Sequence, residues 1–290
     1  MTPSLRIDRP GVRTLIQDLG RPGHARLGVT ASGAWDRAAL TLGNRLLGNA
    51  EGAAGLEVLL GGLSLTALQP IMVALTGAEA PLLVDGRPAA QYAPVALPQG
   101  SRLDLGTPTR GLRCYLAVRG GLDGRRVFGS LSSDPTTGLG PAPLASGDEL
   151  VVGSDVAGPL GDTDLASGRR GLDELVLRVA LGPRDDWFTP EAIDVLDTAT
   201  WEVSQGSDRV GTRLSGPTLT RVRHDELPSE GLIRGAVQVP ADGQPLVFGP
   251  DHPTTGGYPV IACVIGTDAD ALAQAAPGTI VRFDLRPRPW

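Results

Sequence analysis

The chain has 290 residues, 41% of them hydrophobic and 20% charged, so it can bury one large core or two of ordinary size without disulfides or metal. A formal net charge of −6 speaks against a nucleic-acid partner. No apolar run is long enough to span a bilayer, and Met1-Thr2-Pro3-Ser4-Leu5-Arg6 lacks the apolar stretch of a signal peptide, so a cytoplasmic location is expected.

With 40 Gly, 25 Pro and only 4% aromatics, the composition predicts a mainly β chain with a few helices and a core of Leu, Val, Ala and Ile. The first helix is expected from about Gly33 to Leu47, with Ser32 as its N-cap and Ala39, Leu42 and Leu46 at helical spacing. Strands follow at Ile71-Val73-Leu75, Leu82–Val84 and Cys114–Val118, with Asp85-Gly86 as a tight turn. Gly147-Asp148-Glu149-Leu150-Val151-Val152 closes this half. Residues 153–171, rich in Gly, Asp and Ser, are expected to link the N-terminal half (1–152) to a C-terminal half (172–290). That second half opens on a strand at Leu175–Ala180. A helix begins at Thr189-Pro190-Glu191, with a cap, then Pro at the first helical position, then an acid. Further strands are expected at Ala236–Val239, Leu246–Phe248 and Val260–Ile265. A last helix runs from Thr267 or Asp268 to about Ala275 and stops at Pro277-Gly278. Pro98–Leu105 and Pro277–Asp284 read as a similar turn-plus-strand phrase in the two halves.

Every cationic side chain is arginine; the sequence contains no lysine. Biotin attachment, a phosphate-binding loop and Schiff-base catalysis each need a lysine amine, so this chain performs none of them alone. Cys114 and Cys263 sit in apolar runs and read as buried thiols. With three scattered His, no metal-ligand spacing is recognisable.

Gln17-Asp18-Leu19-Gly20-Arg21 gathers an amide, a carboxylate and a guanidinium around a glycine. It is either a capped turn or a set that holds a planar polar group. Gly28–Asp36 leads into the first helix and offers backbone N–H groups to an anion, with Asp36 competing for them. In Ser207-Asp208-Arg209-Val210-Gly211-Thr212-Arg213-Leu214 the spacing puts Arg209 and Arg213 on one face, either as a clamp for an anion or as a solvated surface. Thr254-Thr255-Gly256-Gly257 can present successive donors. His252 and Asp18 are the acid/base candidates, and no nucleophile–base–orienter triad follows from spacing.

Taken in order, these phrases resemble one family. They are Gln17–Arg21, Gly33-Ala34-Trp35-Asp36, Asn44-Arg45-Leu46-Leu47-Gly48-Asn49, Leu56-Glu57, Arg119-Gly120-Gly121-Leu122, Ser207–Leu214, Gln238-Val239-Pro240-Ala241-Asp242-Gly243-Gln244-Pro245, Thr254–Pro259, Ala273-Gln274 and Pro277-Gly278. The series is similar to the biotin-dependent carboxyltransferase family, which includes the 5-oxoprolinase C component, allophanate hydrolase subunit 2 and a domain of urea carboxylase. The resemblance covers about Gly11 to Phe283. It implies a cyclophilin-like β-barrel architecture, with two barrel-like halves. It implies an ATP-hydrolysing 5-oxoprolinase complex in which this chain opens a cyclic amide together with separate subunits A and B, ATP being used on the partners. Gln17, Arg21, Arg209, Arg213, Gln238, Gln244, Thr255 and Tyr258 are the substrate-binding candidates. Two other activities remain open: a carboxyltransferase acting on urea or a related amide with biotin on another chain, and a regulator antagonising a sensor-kinase inhibitor protein. The chain departs from the family pattern after Gly129-Ser130, where Leu131-Ser132-Ser133-Asp134 stands in place of an expected Arg.

Overall fold

The computed structural model describes residues 2–161 and 174–287, and the chain divides into two compact units. The first comprises residues 1–21 and 32–171, the second residues 22–31 and 172–290. The short segment 22–31 therefore leaves the unit that flanks it in sequence. Of the stretch expected to link the halves, 162–171 lies outside the described residues. The described part is hydrogen-bonded along the first unit: Gly153 N donates to Gly121 O, Ala157 N to Gly48 O and Gly161 N to Leu46 O.

The first unit contains two sheets. The seven-stranded sheet runs Leu122–Asp123, Glu149–Val152, Leu5–Pro10, Leu63–Ala67, Arg102–Leu105, Leu82–Val84, Arg87–Pro88. The five-stranded sheet runs Arg13–Gln17, Gly55–Leu59, Arg110–Val118, Ile71–Glu79, Val95–Leu97. One core draws Leu5, Ile7 and Leu65 from the former and Leu56, Leu75 and Leu116 from the latter. The alternation of apolar residues aims these side chains at a common interior. Asp85 and Gly86 both take positive φ (49° and 75°), as a two-residue hairpin turn requires, and Val84 pairs with Arg87 across it.

Helix α1 (Arg37–Leu46) starts four residues later than the sequence suggests, and its cap is Asp36 rather than Ser32. The Asp36 carboxylate accepts from Ala39 N at 2.9 Å. Ser32 is held at φ 51°, and its hydroxyl donates instead to Ser133 O. Gly33, at φ 96°, lies so close to the Leu19–Gly20 peptide that a Cβ would stand 2.8 Å from Leu19 C. An anion at this helix start would have to displace the Asp36 carboxylate. Leu40 and Leu46 bury the helix against the five-stranded sheet through Tyr115, Ala74 and Ala117.

The second unit is a closed seven-stranded barrel in the order Glu174–Leu181, Val260–Val264, Ala236–Gln238, Leu246–Phe248, Gly211–Ser215, Thr200–Val203, Ile280–Leu285. Parallel pairing of Glu174–Leu181 with Ile280–Leu285 closes the ring. The expected barrel is thus found in this unit, while the first unit is built from the two sheets. In Glu174–Leu181, Leu175, Leu177 and Val179 point inward and Glu174, Val176 and Arg178 outward. Trp201 packs on Phe283 with ring centroids 5.3 Å apart, both buried. Helix α2 (Pro190–Thr198) begins as its sequence predicts, with the Thr189 hydroxyl accepting from Ala192 N. Helix α3 (Asp268–Ala271) continues as a 3₁₀ turn to Gln274. No described helix is long and apolar enough to cross a membrane.

Candidate functional site

In the first unit, the Arg13–Gln17 strand delivers Gln17, Asp18 and Arg21 into a buried polar knot. Its other half is the segment from Ser130 to Ser133. Gln17 Nε2 donates to Ser133 O at 2.8 Å, and Ser133 N donates back to Ile16 O at 2.8 Å. Asp18 Oδ1 accepts from Gly20 N (2.7 Å), Ser130 Oγ (2.6 Å) and Ser132 Oγ (2.5 Å). Asp18 Oδ2 accepts from Leu131 N at 2.7 Å, with Arg126 Nη1 3.8 Å away. Arg21 Nε donates to Val127 O, and its Nη2 to Ser132 O. A carboxylate is an acceptor only, and four hydrogen-bond donors and a nearby guanidinium already surround this one. To take a proton from substrate, Asp18 would have to release a partner. Gly140 seals the knot: at φ 81°, a Cβ there would lie 2.1 Å from Ser132 O.

A second knot joins the phrases Gly33–Asp36 and Leu56-Glu57. Glu57 Oε2 accepts from Trp35 N and from the Tyr115 hydroxyl, each at 2.9 Å, and that hydroxyl accepts from Asp36 N at 2.7 Å. Arg113 lies 3.7 Å from Glu57 Oε1 and stacks 4.2 Å from the Trp35 ring centroid. Burial, and then the Glu57 charge, push the Tyr115 hydroxyl well above the usual phenol range. It stays protonated and holds the loop entering α1. Asn44 and Asn49 act similarly. Asn49 Nδ2 donates to Asn44 Oδ1 and Val118 O, and Asn49 Oδ1 accepts from Gly120 N.

In the second unit, Arg209 is not beside Arg213. Arg209 precedes the Gly211–Ser215 strand and forms a buried, two-pronged ion pair with Asp251 at 2.6 and 2.9 Å, the side chains being 4% and 1% exposed. Arg213 lies within that strand and is exposed. The shared face fails because the strand starts only at Gly211, so period-two alternation does not reach back to Arg209. Gln244 pins a hairpin: its Oε1 accepts from Gly216 N (2.8 Å) and its Nε2 donates to Gly216 O (3.1 Å). Gln238 Nε2 donates to Tyr258 O at 3.0 Å, which brings these two candidates together. Thr255 is exposed on a two-stranded ribbon with Glu230–Gly231, and Tyr258 is 48% exposed.

His252 is buried beside Phe248, with its Nδ1 2.7 Å from Pro253 O. A carbonyl can only accept, so Nδ1 carries the proton and Nε2 is the basic atom of the neutral ring. Burial lowers its pKa, opposed by the Pro253 carbonyl and Asp251. Among the described residues, no group of three or more His, Cys, Asp or Glu is placed to hold a metal. Both cysteines are free, and burial pushes the Cys114 thiol up to about 12.

Residues 27–285 match the carboxyltransferase domain, subdomain A and B. The chain belongs to this family. It is 38% identical to the 5-oxoprolinase C component of Escherichia coli (strain K12), over 96% of this chain and 90% of that protein. Identity to the 5-oxoprolinase C component of Haemophilus influenzae is 34%, over 94% and 88%. The crystal structure of the Kluyveromyces lactis urea amidolyase superposes with a TM-score of 0.91 at 27% identity, covering 98% of this chain but only 19% of that polypeptide.

Proposed function

We propose that this chain is the C component of an ATP-dependent 5-oxoprolinase, opening the lactam of 5-oxoproline to L-glutamate together with separate subunits A and B. One observation carries this reading: the match to the E. coli relative of that name runs almost end to end on both sides, 96% and 90%. A lactam is a poor electrophile. ATP activates it by transferring a phosphoryl group to the amide oxygen with loss of ADP. Water then adds at that carbon, the C–N bond breaks with a proton going to nitrogen, and a second water cleaves the resulting acyl phosphate to the carboxylate and inorganic phosphate. A chain without lysine leaves nucleotide handling to its partners. Its own share is to hold the substrate and stabilise developing charge. Arg213, Thr255 and Tyr258 are exposed enough for a substrate to reach. His252, neutral near pH 7, is the proposed proton acceptor through Nε2. Gln17, Asp18 and Arg21 shape the first unit's loop.

The test is reconstitution. With subunits A and B, the chain should support 5-oxoproline-dependent ATP hydrolysis with stoichiometric glutamate; alone it should support neither. A second reading, a carboxyltransferase for urea or a related amide with biotin on another chain, is favoured by the urea amidolyase superposition. Carboxylation of urea with a biotinyl carrier, and no lactam opening, would replace the first reading with the second.

A further inference from the structure

The second unit contains an arginine that no motif marks. Arg221 faces Phe188 across an isolated β-bridge. Its Nη2 donates to Val239 O, and its guanidinium carbon lies 5.8 Å from the centroid of the Tyr258 ring. Its Nε is buried without a hydrogen-bond partner. Several other buried or half-buried arginines of the unit have acids against them, as in Arg184–Glu230, Arg209–Asp251 and Arg234–Asp270. Among the described residues, no carboxylate forms an ion pair with Arg221. The guanidinium is half-buried, held by one carbonyl and one ring, with no carboxylate in contact to offset its charge. Burial lowers its pKa, partly offset by Tyr258 and Asp242, yet a guanidinium remains charged. The protein thus holds at a fixed position a guanidinium that no carboxylate contacts. The Gln238 bond to Tyr258 O anchors the loop bearing the stacked ring.

We propose that Arg221, backed by the Tyr258 ring, binds a small monocarboxylate. The planar fork matches a carboxylate. One guanidinium, already partly offset by Asp242, balances at most a single negative charge, whereas a phosphate dianion calls for more donors. The naming of the acid rests on the function proposed above: it is the carboxylate of 5-oxoproline, leaving the lactam free for attack.

The experiment titrates the full chain with sodium acetate, 5-oxoproline, 5-oxoproline methyl ester and inorganic phosphate, followed by NMR shifts of the Arg221 and Tyr258 resonances. Acetate and 5-oxoproline should shift both, while the ester and phosphate should bind far more weakly. Arg221→Gln should weaken 5-oxoproline binding roughly 10- to 150-fold, as expected for loss of a charge-assisted contact. Arg221→Lys, which keeps the charge but loses the fork, should lie between. Wild-type titrations that leave these resonances unmoved, or phosphate binding more tightly than acetate, would overturn the proposal whatever the variants do. The two readings fail separately. Acetate bound at Arg221 in a complex that cannot open 5-oxoproline retains the site and removes the function. Normal lactam opening with unmoved Arg221 resonances does the reverse.

Discussion

Replacing Asp18 by asparagine should destabilise the first unit by about 2–4 kcal/mol, even though the two side chains are almost isosteric. Both carboxylate oxygens receive a backbone N–H, from Gly20 on one side and Leu131 on the other. Neither backbone donor can turn round to accept, so whichever way the new amide points, its NH₂ meets a fixed N–H. The Ser130 and Ser132 hydroxyls can rotate, but they cannot relieve that clash. One charge-assisted hydrogen bond is lost outright, worth roughly 1.5–3 kcal/mol, and the others are weakened by loss of the charge. At roughly 2–4 °C per kcal/mol for a unit of this size, the melting transition should fall by about 4–16 °C. Differential scanning calorimetry of the isolated chain reads this directly. Asp225→Asn, at a side chain 79% exposed, serves as control and should shift stability by less than about 0.5 kcal/mol. If Asp18→Asn melts with the control, the carboxylate does not organise the loop, and a purely chemical role for it gains ground.

Asp251→Ala should cost about 3–5 kcal/mol by leaving the Arg209 charge buried and unpaired, while the double variant Arg209→Met/Asp251→Leu should recover most of the loss; urea unfolding of each checks this. His252 has a folded-state pKa below its unfolded value of about 6.5, so the unfolded chain binds the extra proton first. Stability should therefore be fully present above pH 6.5 and fall as pH drops through the folded pKa, and His252→Asn should flatten that slope in a series of unfolding curves. Arg213→Ala should reduce lactam opening by the reconstituted complex roughly 10- to 150-fold while changing stability by less than about 0.5 kcal/mol. Full activity in that variant would return Arg213 to the solvated surface.

Elements governed by local chemistry could be read from the sequence. The strand at Glu174–Leu181 shows its inward Leu175, Leu177 and Val179 by alternation, and α2 shows its start in Thr189-Pro190. The start of α1 could not be read this way. Ser32 and Asp36 are both good caps in isolation, and the choice is made by Ser133, which takes the Ser32 hydroxyl from 101 positions away. The same limit applied to the polar motifs. Gln17, Asp18 and Arg21 stood out by composition, but their long-range partners lie 106 to 116 positions along the chain, with no periodicity linking the two segments.

Arg209, Arg213 and Arg221 set out the problem most plainly. A sequence presents three arginines of equal chemistry, and the first two attract notice by spacing and by family phrase. Whether each can take a ligand depends on what already neutralises it. Asp251, 42 positions on, pairs with two nitrogens of the Arg209 guanidinium. Arg213 has open surface around it but little to fix its direction. Arg221 is held by the Val239 carbonyl and the Tyr258 ring, neither of which carries a negative charge. A guanidinium held at a fixed position with no carboxylate in contact is defined by the sum of its surroundings, so no motif can encode it. For the same reason, binding capacity and family signature need not coincide in this chain: the signature residues are largely spent on holding loops, and the charge left over sits outside them.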